Sequence, residues 1–259
     1  MKNRGLIIGH GHVSGFVVEL LKSEFQLFGT KRIIPSEQEE DIEIISLELA
    51  QEDFDPRLFE DYHFVLFLLP PREHYLNFLI SMHEKSSIDI PWIFTSSTSV
   101  YGSGIVREYS PREGTGRNSA SLIELEEFLE SIKRDVVILR PAGLVDEKRN
   151  PINFFKKAIE QKREVQGGSS PVNLVHSNDV ARFIQFILEN KIRKGVFNLC
   201  SDTHLEKREF YGKLMQHYQM ELPRWSKENG SYKVVSNELS KESGFHYLYP
   251  DLFSYFLDF

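Results

Sequence analysis

Apolar runs punctuate the chain at short intervals. GLIIG at 5–9, QLFGT at 26–30, IEIISLEL at 42–49, FVLFLLP at 64–70, WIFTSS at 92–97 and VVILRP at 136–141 predict strands. Between them the period lengthens. Val13, Val17, Leu20 and Leu21 fall at i, i+4, i+7 and i+8, which is one face of a helix. Tyr75, Phe78, Leu79 and Met82 mark a second helix, and Leu122, Leu125, Leu129 and Ile132 a third. Strands that are apolar throughout, separated by helices, belong to a parallel sheet covered on both faces. Handedness and loop rules then lead to an α/β, Rossmann-type doubly wound sheet with its ligand at the carboxyl ends of the strands.

After residue 143 the pattern loosens. INFFKKAIEQK and DVARFIQFILEN predict helices, QGGSSP at 166–171 a turn, and GVFNLC at 195–200 a further strand. The division expected is a dinucleotide-binding domain over 1–165, to which 172–200 returns, and a small C-terminal substrate lobe from 143–171 and 201–259.

Composition narrows the class. With 259 residues, 41% of them apolar and 27% charged, the chain suits one folded α/β domain with a smaller lobe. A net charge of −7 argues against a nucleic-acid or anionic-membrane footprint, which needs clustered Lys and Arg. Cys200 is the only cysteine, so no internal disulfide forms. The start, MKNRGLIIGHG, has an apolar run too short for a signal peptide, and FVLFLL is too short to span a bilayer. A cytoplasmic protein is expected.

The first strand ends in Gly9-His10-Gly11-His12-Val13-Ser14-Gly15. Gly9 allows a tight turn and Gly11 lets the backbone approach a pyrophosphate. The helix opened by His12, Val13 and Ser14 supplies amide donors and the positive dipole end. Ser14 holds the place of the third glycine, where a small residue still packs. A lone G-x-G is weak evidence, but one between the first strand and first helix of a βαβ unit is specific. The competing reading is a structural turn. His10 and His12 are conceivable acid–base groups, although side chains here more commonly point outward or touch phosphate.

The end of the second strand bears on the cofactor. An NAD site carries an acidic residue about 20 positions past the glycines, on the ribose 2′-hydroxyl. This sequence has Gly29-Thr30-Lys31-Arg32 and no carboxylate there. Two cations and a hydroxyl suit a 2′-phosphate, so NADP is favoured and NAD is the alternative. The bland account leaves Lys31 and Arg32 as solvated surface residues.

With these features in hand, the chain resembles the extended branch of the short-chain dehydrogenase/reductase superfamily, the sugar-nucleotide epimerases and dehydratases. The matching stretches are GHGHVSG, IFTSSTSVYG, LRPAG at 139–143, NLVHSNDVA at 173–181 and GVFNLC, in the family's order and over most of the chain. Within it the chain is similar to an atypical subgroup of NAD(P)-binding proteins sharing TSSTSVYG, NLVH and SGFHYLYPD. The resemblance implies that Ser97 matches the catalytic serine, four residues before Tyr101, with Ser96 beside the cofactor. It also implies that Leu69, Pro70 and Pro71 line the nicotinamide-side ribose, that Pro141, Ala142 and Gly143 lie beside the nicotinamide, and that the protein forms a homodimer through helices flanking the fourth and fifth strands.

The family's chemistry also needs a tyrosine acid–base and a lysine four residues later, on one helix face. The matching segment is RNSASLIELEEFLESIKR, which places Ser119 at the tyrosine and Ile123 at the lysine. No tyrosine anywhere in the chain has lysine at i+4. An unassisted tyrosine, with pKa about 10, is a poor base at neutral pH. Ser119 and Ser121 read better as helix-start residues, Ser121 with Glu124 giving a capping-box pattern. Glu126 and Glu127 read as a solvated helix face. Ser177 reads as the cap of the following helix and Asp179 as a first-turn acid favouring its dipole, while His176 and Asp179 are candidate substrate contacts. Arg140 and Arg149 are candidate anion binders, Arg140 equally an internal partner. No Cys/His spacing suggests a metal site.

Two functions therefore compete. One is an NAD(P)(H)-binding protein that lacks the tyrosine–lysine pair. The other is an active oxidoreductase, or a sugar-nucleotide epimerase/dehydratase, whose proton relay uses Ser97, His176 or water. Both imply a nicotinamide dinucleotide and a small-molecule substrate of sugar-nucleotide type, with no nucleic acid and no membrane as partner.

Overall fold

The computed structural model describes residues 2–37, 39–50, 61–86, 89–114, 116, 118–227 and 230–258. The chain begins β1 (Asn3–Ile8), α1 (His12–Leu21), β2 (Phe25–Lys31), β3 (Ile42–Ser46), β4 (Phe64–Phe67), α2 (Tyr75–Lys85) and β5 (Trp92–Thr95). It continues through β6 (Gly104–Val106), α3 (Ser119–Ser131), β7 (Val136–Pro141), β8 (Gly143–Val145), α4 (Lys156–Glu160), β9 (Glu164–Val165), β10 (Leu174–His176) and α5 (Ser177–Glu189). It ends with β11 (Gly195–Leu199), α6 (Lys207–His217), β12 (Arg224–Trp225), β13 (Lys233–Val235), α7 (Glu238–Glu242) and α8 (Leu252–Leu257).

The seven strands expected from the apolar runs form one sheet, in the order β3, β2, β1, β4, β5, β7, β11. Neighbours from β3 to β7 run parallel. β4 and β7 are buried along their whole length, as strands covered on both faces must be. The order reverses between β1 and β4, and a doubly wound sheet opens its ligand crevice at that point. Under the sheet, Phe67 packs edge-on against Trp92, at 5.0 Å between ring centres, and lies beside Phe94.

The chain divides into two compact units. The first is Met1–Val100, Gly114–Arg140 and Val180–Phe197; the second is Tyr101–Glu113, Pro141–Asp179 and Asn198–Phe259. The second contains three short parallel pairs, β8 with β10, β9 with β12, and β6 with β13. Its core joins Val145, Val172, Leu174, Phe210, Leu214 and Phe256.

Several local expectations change. INFFKKAIEQK is not one helix. Pro151, with Asn150 Oδ1 accepting from Ile152 N at 3.1 Å, fixes a separate 3-10 turn over Pro151–Phe154, and α4 starts only at Lys156. The N-cap of α3 is Asn118, in the left-handed region at φ 66° and without a side-chain cap bond. Ser121 and Glu124 therefore lie inside the helix and make no capping box. Ser177 does not cap α5 through its hydroxyl, which donates to Asp146 Oδ2 at 2.5 Å. Asn178 N instead donates to His176 Nδ1 at 3.2 Å.

Candidate functional site

At the end of β1 the backbone turns sharply. Gly9 has φ 97°, and a Cβ there would come within 2.6 Å of Leu69, just past β4. Only glycine fits both demands. Thr30, at the end of β2, holds the turn: its Oγ1 accepts from Gly9 N at 2.9 Å and its carbonyl from His10 N at 2.9 Å. Gly11 caps α1 in an extended conformation, and a Cβ on it would meet nothing within 4 Å. The backbone at Gly11 thus faces open space at a helix N-terminus, the geometry that a pyrophosphate needs. His12 and Val13 follow, both half-buried, with the His12 ring edge-on to Phe16.

Ser14 is fully buried, and its Oγ accepts from Gly11 N at 2.8 Å. The same oxygen lies 2.7 Å from His10 Nδ1 and 2.8 Å from Gly11 O. His10, whose side chain is almost wholly buried, reaches Glu39 Oε2 through Nε2 at 2.9 Å. A carboxylate only accepts, so Nε2 is the donor. Lys31 Nζ donates to the other Glu39 oxygen at 3.0 Å. The Lys31 ammonium first, then the His10 ring, holds the Glu39 carboxyl below the usual carboxylate range. Neither histidine of the loop is free of structure: His10 is a brace.

Glu39 is the residue that counting along the sequence missed. It lies 28 positions past Gly11 rather than about 20. The expectation of no carboxylate beside Lys31 is corrected accordingly: Lys31 is ion-paired. Arg32 is exposed, and its guanidinium has no hydrogen bond or ion pair among the described residues.

At the end of β5, Ser96 N donates to Leu139 O at 2.7 Å. Thr95 Oγ1 and Ser96 Oγ are buried with no hydrogen-bond partner among the described residues. Ser97 Oγ accepts from Ser99 N at 3.1 Å and starts the 3-10 turn Thr98–Val100. Ser119 is buried, and its hydroxyl donates to Ser99 O at 2.8 Å. It pins α3 to that turn and is not placed as a nucleophile. Glu126 is wholly buried, and its carboxylate takes Arg140 Nε at 3.0 Å and Nη2 at 2.5 Å. The solvated face expected for Glu126 is thus wrong, whereas Glu127 is exposed. Past β4, Leu69 and Pro71 are half-buried and Pro70 is exposed.

The remaining candidates lie in the second unit. Tyr101 OH donates to Asn198 Oδ1 at 2.8 Å and is buried. Pro141 ends β7, Ala142 N donates to Leu199 O at 2.9 Å, and Gly143 N to Asn173 O at 3.0 Å. His176 is buried between rings, 3.9 Å from the Tyr249 ring centre and 5.3 Å from that of Tyr255. Its Nε2 lies 3.8 Å from Glu147, which also accepts from the Tyr255 hydroxyl. Burial lowers the His176 pKa against the raising pull of Glu147 and Asp146. Asp179 accepts from Leu248 N at 2.7 Å and Tyr249 N at 3.0 Å, so it anchors the SGFHYLYPD segment. Arg149 is exposed.

The residues of the first unit fit a dinucleotide. Open backbone at Gly11 faces a helix N-terminus, and two orphaned hydroxyls end β5. No protein-family model matches the chain. It is similar to Protein YeeZ of Escherichia coli (strain K12), 36% identical over 165 residues, which is 61% of this chain and 58% of that protein. The chain therefore matches less than two thirds of the length of this curated relative. Among solved structures it superposes on a conserved protein of unknown function from Silicibacter pomeroyi DSS, at TM-score 0.76 and 16% identity over 99% of this chain and 97% of that one. The UDP-N-acetylglucosamine 4-epimerase of Methanobrevibacter ruminantium M1, in complex with UDP-N-acetylmuramic acid, gives 0.77 and 16% over 99% and 96%. The Bordetella bronchiseptica enzyme WbmH in complex with NAD+ gives 0.77 and 15% over 99% and 96%. The chain has the fold of the NAD-dependent epimerase/dehydratase-like short-chain dehydrogenase/reductase structures. No helix among the described residues is long and apolar enough to cross a membrane.

Proposed function

We propose that the protein binds a nicotinamide dinucleotide in its first unit, NADP(H) in preference to NAD(H), and lacks the tyrosine–lysine acid–base pair of the superfamily it resembles. The glycine turn carries this reading: strained Gly9 against Leu69, then open Gly11 at the start of α1. In it, Gly11, His12, Val13 and Ser14 present backbone amides to the pyrophosphate. Arg32, with no ion pair among the described residues, binds the 2′-phosphate, while Lys31 shares its charge with Glu39. Ser96 and Ser97, with Leu69 to Pro71, contact the nicotinamide half. When bound, the nicotinamide supplies hydride transfer. Ser119 in the tyrosine's place already donates its hydroxyl to Ser99 O.

Calorimetric titration with NADPH and NADH tests the proposal. Arg32→Ala should weaken NADPH by roughly tenfold more than NADH, the loss of about one charge-assisted bond. Equal loss for both would remove the 2′-phosphate role, and no binding of either would remove the whole reading.

A second reading keeps an activity on a sugar-nucleotide-like substrate, the class that the Methanobrevibacter neighbour holds. The connected His176, Glu147 and Tyr255 favour it, as titratable groups in reach of one another. Turnover across carbonyl and sugar-nucleotide substrates that vanishes in His176→Gln, with NADPH affinity kept, would establish it.

A further inference from the structure

A serine in place of the third glycine brings a hydroxyl into the tightest part of the turn, where it has to be satisfied without water. Ser14 is fully buried. Among the described residues its Oγ meets three groups: Gly11 N at 2.8 Å, Gly11 O at 2.8 Å and His10 Nδ1 at 2.7 Å. One oxygen thus grips both sides of Gly11, the residue whose backbone faces open space at the start of α1. A hydroxyl has one hydrogen to give. Gly11 N donates to Oγ, so the ring nitrogen of His10 decides whether that one hydrogen is left for Gly11 O.

The ring is itself held from three sides. His10 N donates to Thr30 O at 2.9 Å. A Cβ on Gly29 would come within 3.0 Å of the His10 Cβ, so the bare backbone of β2 makes room for this side chain. The side chain is only 5% exposed. Its far nitrogen, Nε2, donates to Glu39 Oε2 at 2.9 Å, and Lys31 Nζ donates to Oε1 at 3.0 Å. A continuous chain of hydrogen bonds, Lys31 to Glu39 to His10 to Ser14 to Gly11, therefore runs from the end of β2 to the N-terminus of α1. All of it lies in the first unit.

The two ends of this chain differ in strength. Lys31 and Glu39 are 29% and 47% exposed, and an ion pair open to water holds weakly. The His10–Ser14 link is buried, where a hydrogen bond holds more strongly and a missing one costs more. Glu39 is thus an accessible handle on a buried brace.

We propose that Glu39 and His10 are positioning residues for the pyrophosphate: through Ser14 they fix the backbone of Gly11 in the shape that receives it. The proposal rests on the cofactor reading above and adds the residues that set the loop. One competing account is that these bonds only satisfy buried polar groups. Another is that Glu39 meets the nucleotide itself. Cutting the chain at Ser14 separates the three, because glycine there has no oxygen to carry the effect.

The experiment uses the full chain and calorimetric titration with NADH, which has no 2′-phosphate for a released Lys31 to meet. The variants are Glu39→Ala, Glu39→Gln, His10→Ala, the Glu39→Ala/His10→Ala double, and Ser14→Gly with and without Glu39→Ala. Each is titrated at a temperature where circular dichroism shows it folded. Glu39→Ala and His10→Ala should each lose roughly tenfold in affinity, the weight of one charge-assisted bond. The double variant should lose no more than either single one, since both cut the same chain. Glu39→Gln keeps an acceptor oxygen for Nε2 and should recover most of the loss. Within Ser14→Gly, adding Glu39→Ala should change affinity by about twofold at most. The Gly11 amide resonance of the ligand-free protein gives a reading that needs no nucleotide. Glu39→Ala should shift it in the wild-type chain and not in the Ser14→Gly chain. Losses that add in the double variant, or a full tenfold loss on adding Glu39→Ala to Ser14→Gly, would overturn the proposal and put Glu39 on the nucleotide. Wild-type NADH binding with Glu39→Ala unchanged, or a Gly11 resonance that stays in place, would overturn it and leave the cofactor reading standing. A wild type that binds neither NADH nor NADPH removes the cofactor reading and this proposal with it.

Discussion

The glycine loop after β1 and the hydroxyl stretch after β5 both end strands of one sheet, and both are polar. Around the loop the side chains turn inward: Thr30 bonds Gly9, Ser14 bonds Gly11, and His10 ties Ser14 to Glu39. They shape a backbone that meets open space at Gly11. After β5, Ser97 and Ser119 are also spent on backbone, but Thr95 and Ser96 leave buried hydroxyls without partners. A binding surface made of main chain tolerates changed side chains, as Ser14 for glycine illustrates. Acid–base chemistry depends on particular side chains, and Ser119 and Ile123 cannot supply a tyrosine's proton or a lysine's charge. Under the proposed function, the binding surface is kept while the tyrosine–lysine chemistry is not.

The largest effect should come from beneath the hydroxyl stretch. Glu126→Leu removes the carboxylate that pairs with buried Arg140, and should cost about 3–5 kcal/mol in urea unfolding. A cost near zero would mean that α3 is not held by this pair. Next, Gly9→Ala forces a side chain into the left-handed region and into Leu69. It should cost about 1–3 kcal/mol and abolish NADPH binding in calorimetry. If Gly9→Ala binds normally, the loop is only a turn and the contrast between the regions collapses.

Ser119→Ala should cost about 0.5–1.5 kcal/mol by chemical unfolding and leave NADPH affinity unchanged. A large loss of affinity would give Ser119 a place in the site. The smallest effect concerns protons. Burial keeps the folded His176 pKa below its ordinary value, and burial, then Arg134, does the same to His83. The unfolded chain then binds more protons as pH falls below about 6.5. Stability should be full above that pH and decline through it on acidification, and His176→Gln should flatten part of the decline. An unchanged slope would show that His176 is not held neutral in the fold.

Much of this was legible in the sequence. Apolar runs with turn residues between them placed all seven sheet strands, and the strand–glycine–helix order placed the loop, because both depend on residues close along the chain. The Glu39 bridge was not legible, since its three members come from separate places, His10 after β1, Lys31 at the end of β2 and Glu39 between β2 and β3. Glu126 looked solvated because Glu-Glu on a helix usually is. Its burial depends on Arg140, a residue on a different element. INFFKKAIEQK carried helical spacing, yet a proline and a side-chain cap at its start divided it.

The sequence by itself determined the class of sheet, the glycine turn and the absence of any Y-x-x-x-K, since each is a matter of local period or of residue identity. Only the tertiary structure decided which charges are spent and which are spare. Glu39 occupies Lys31 and Glu126 occupies Arg140, while Arg32 has no ion pair among the described residues. Charge pairing is set by distance in space and by how much water is excluded, and neither is written in the order of residues.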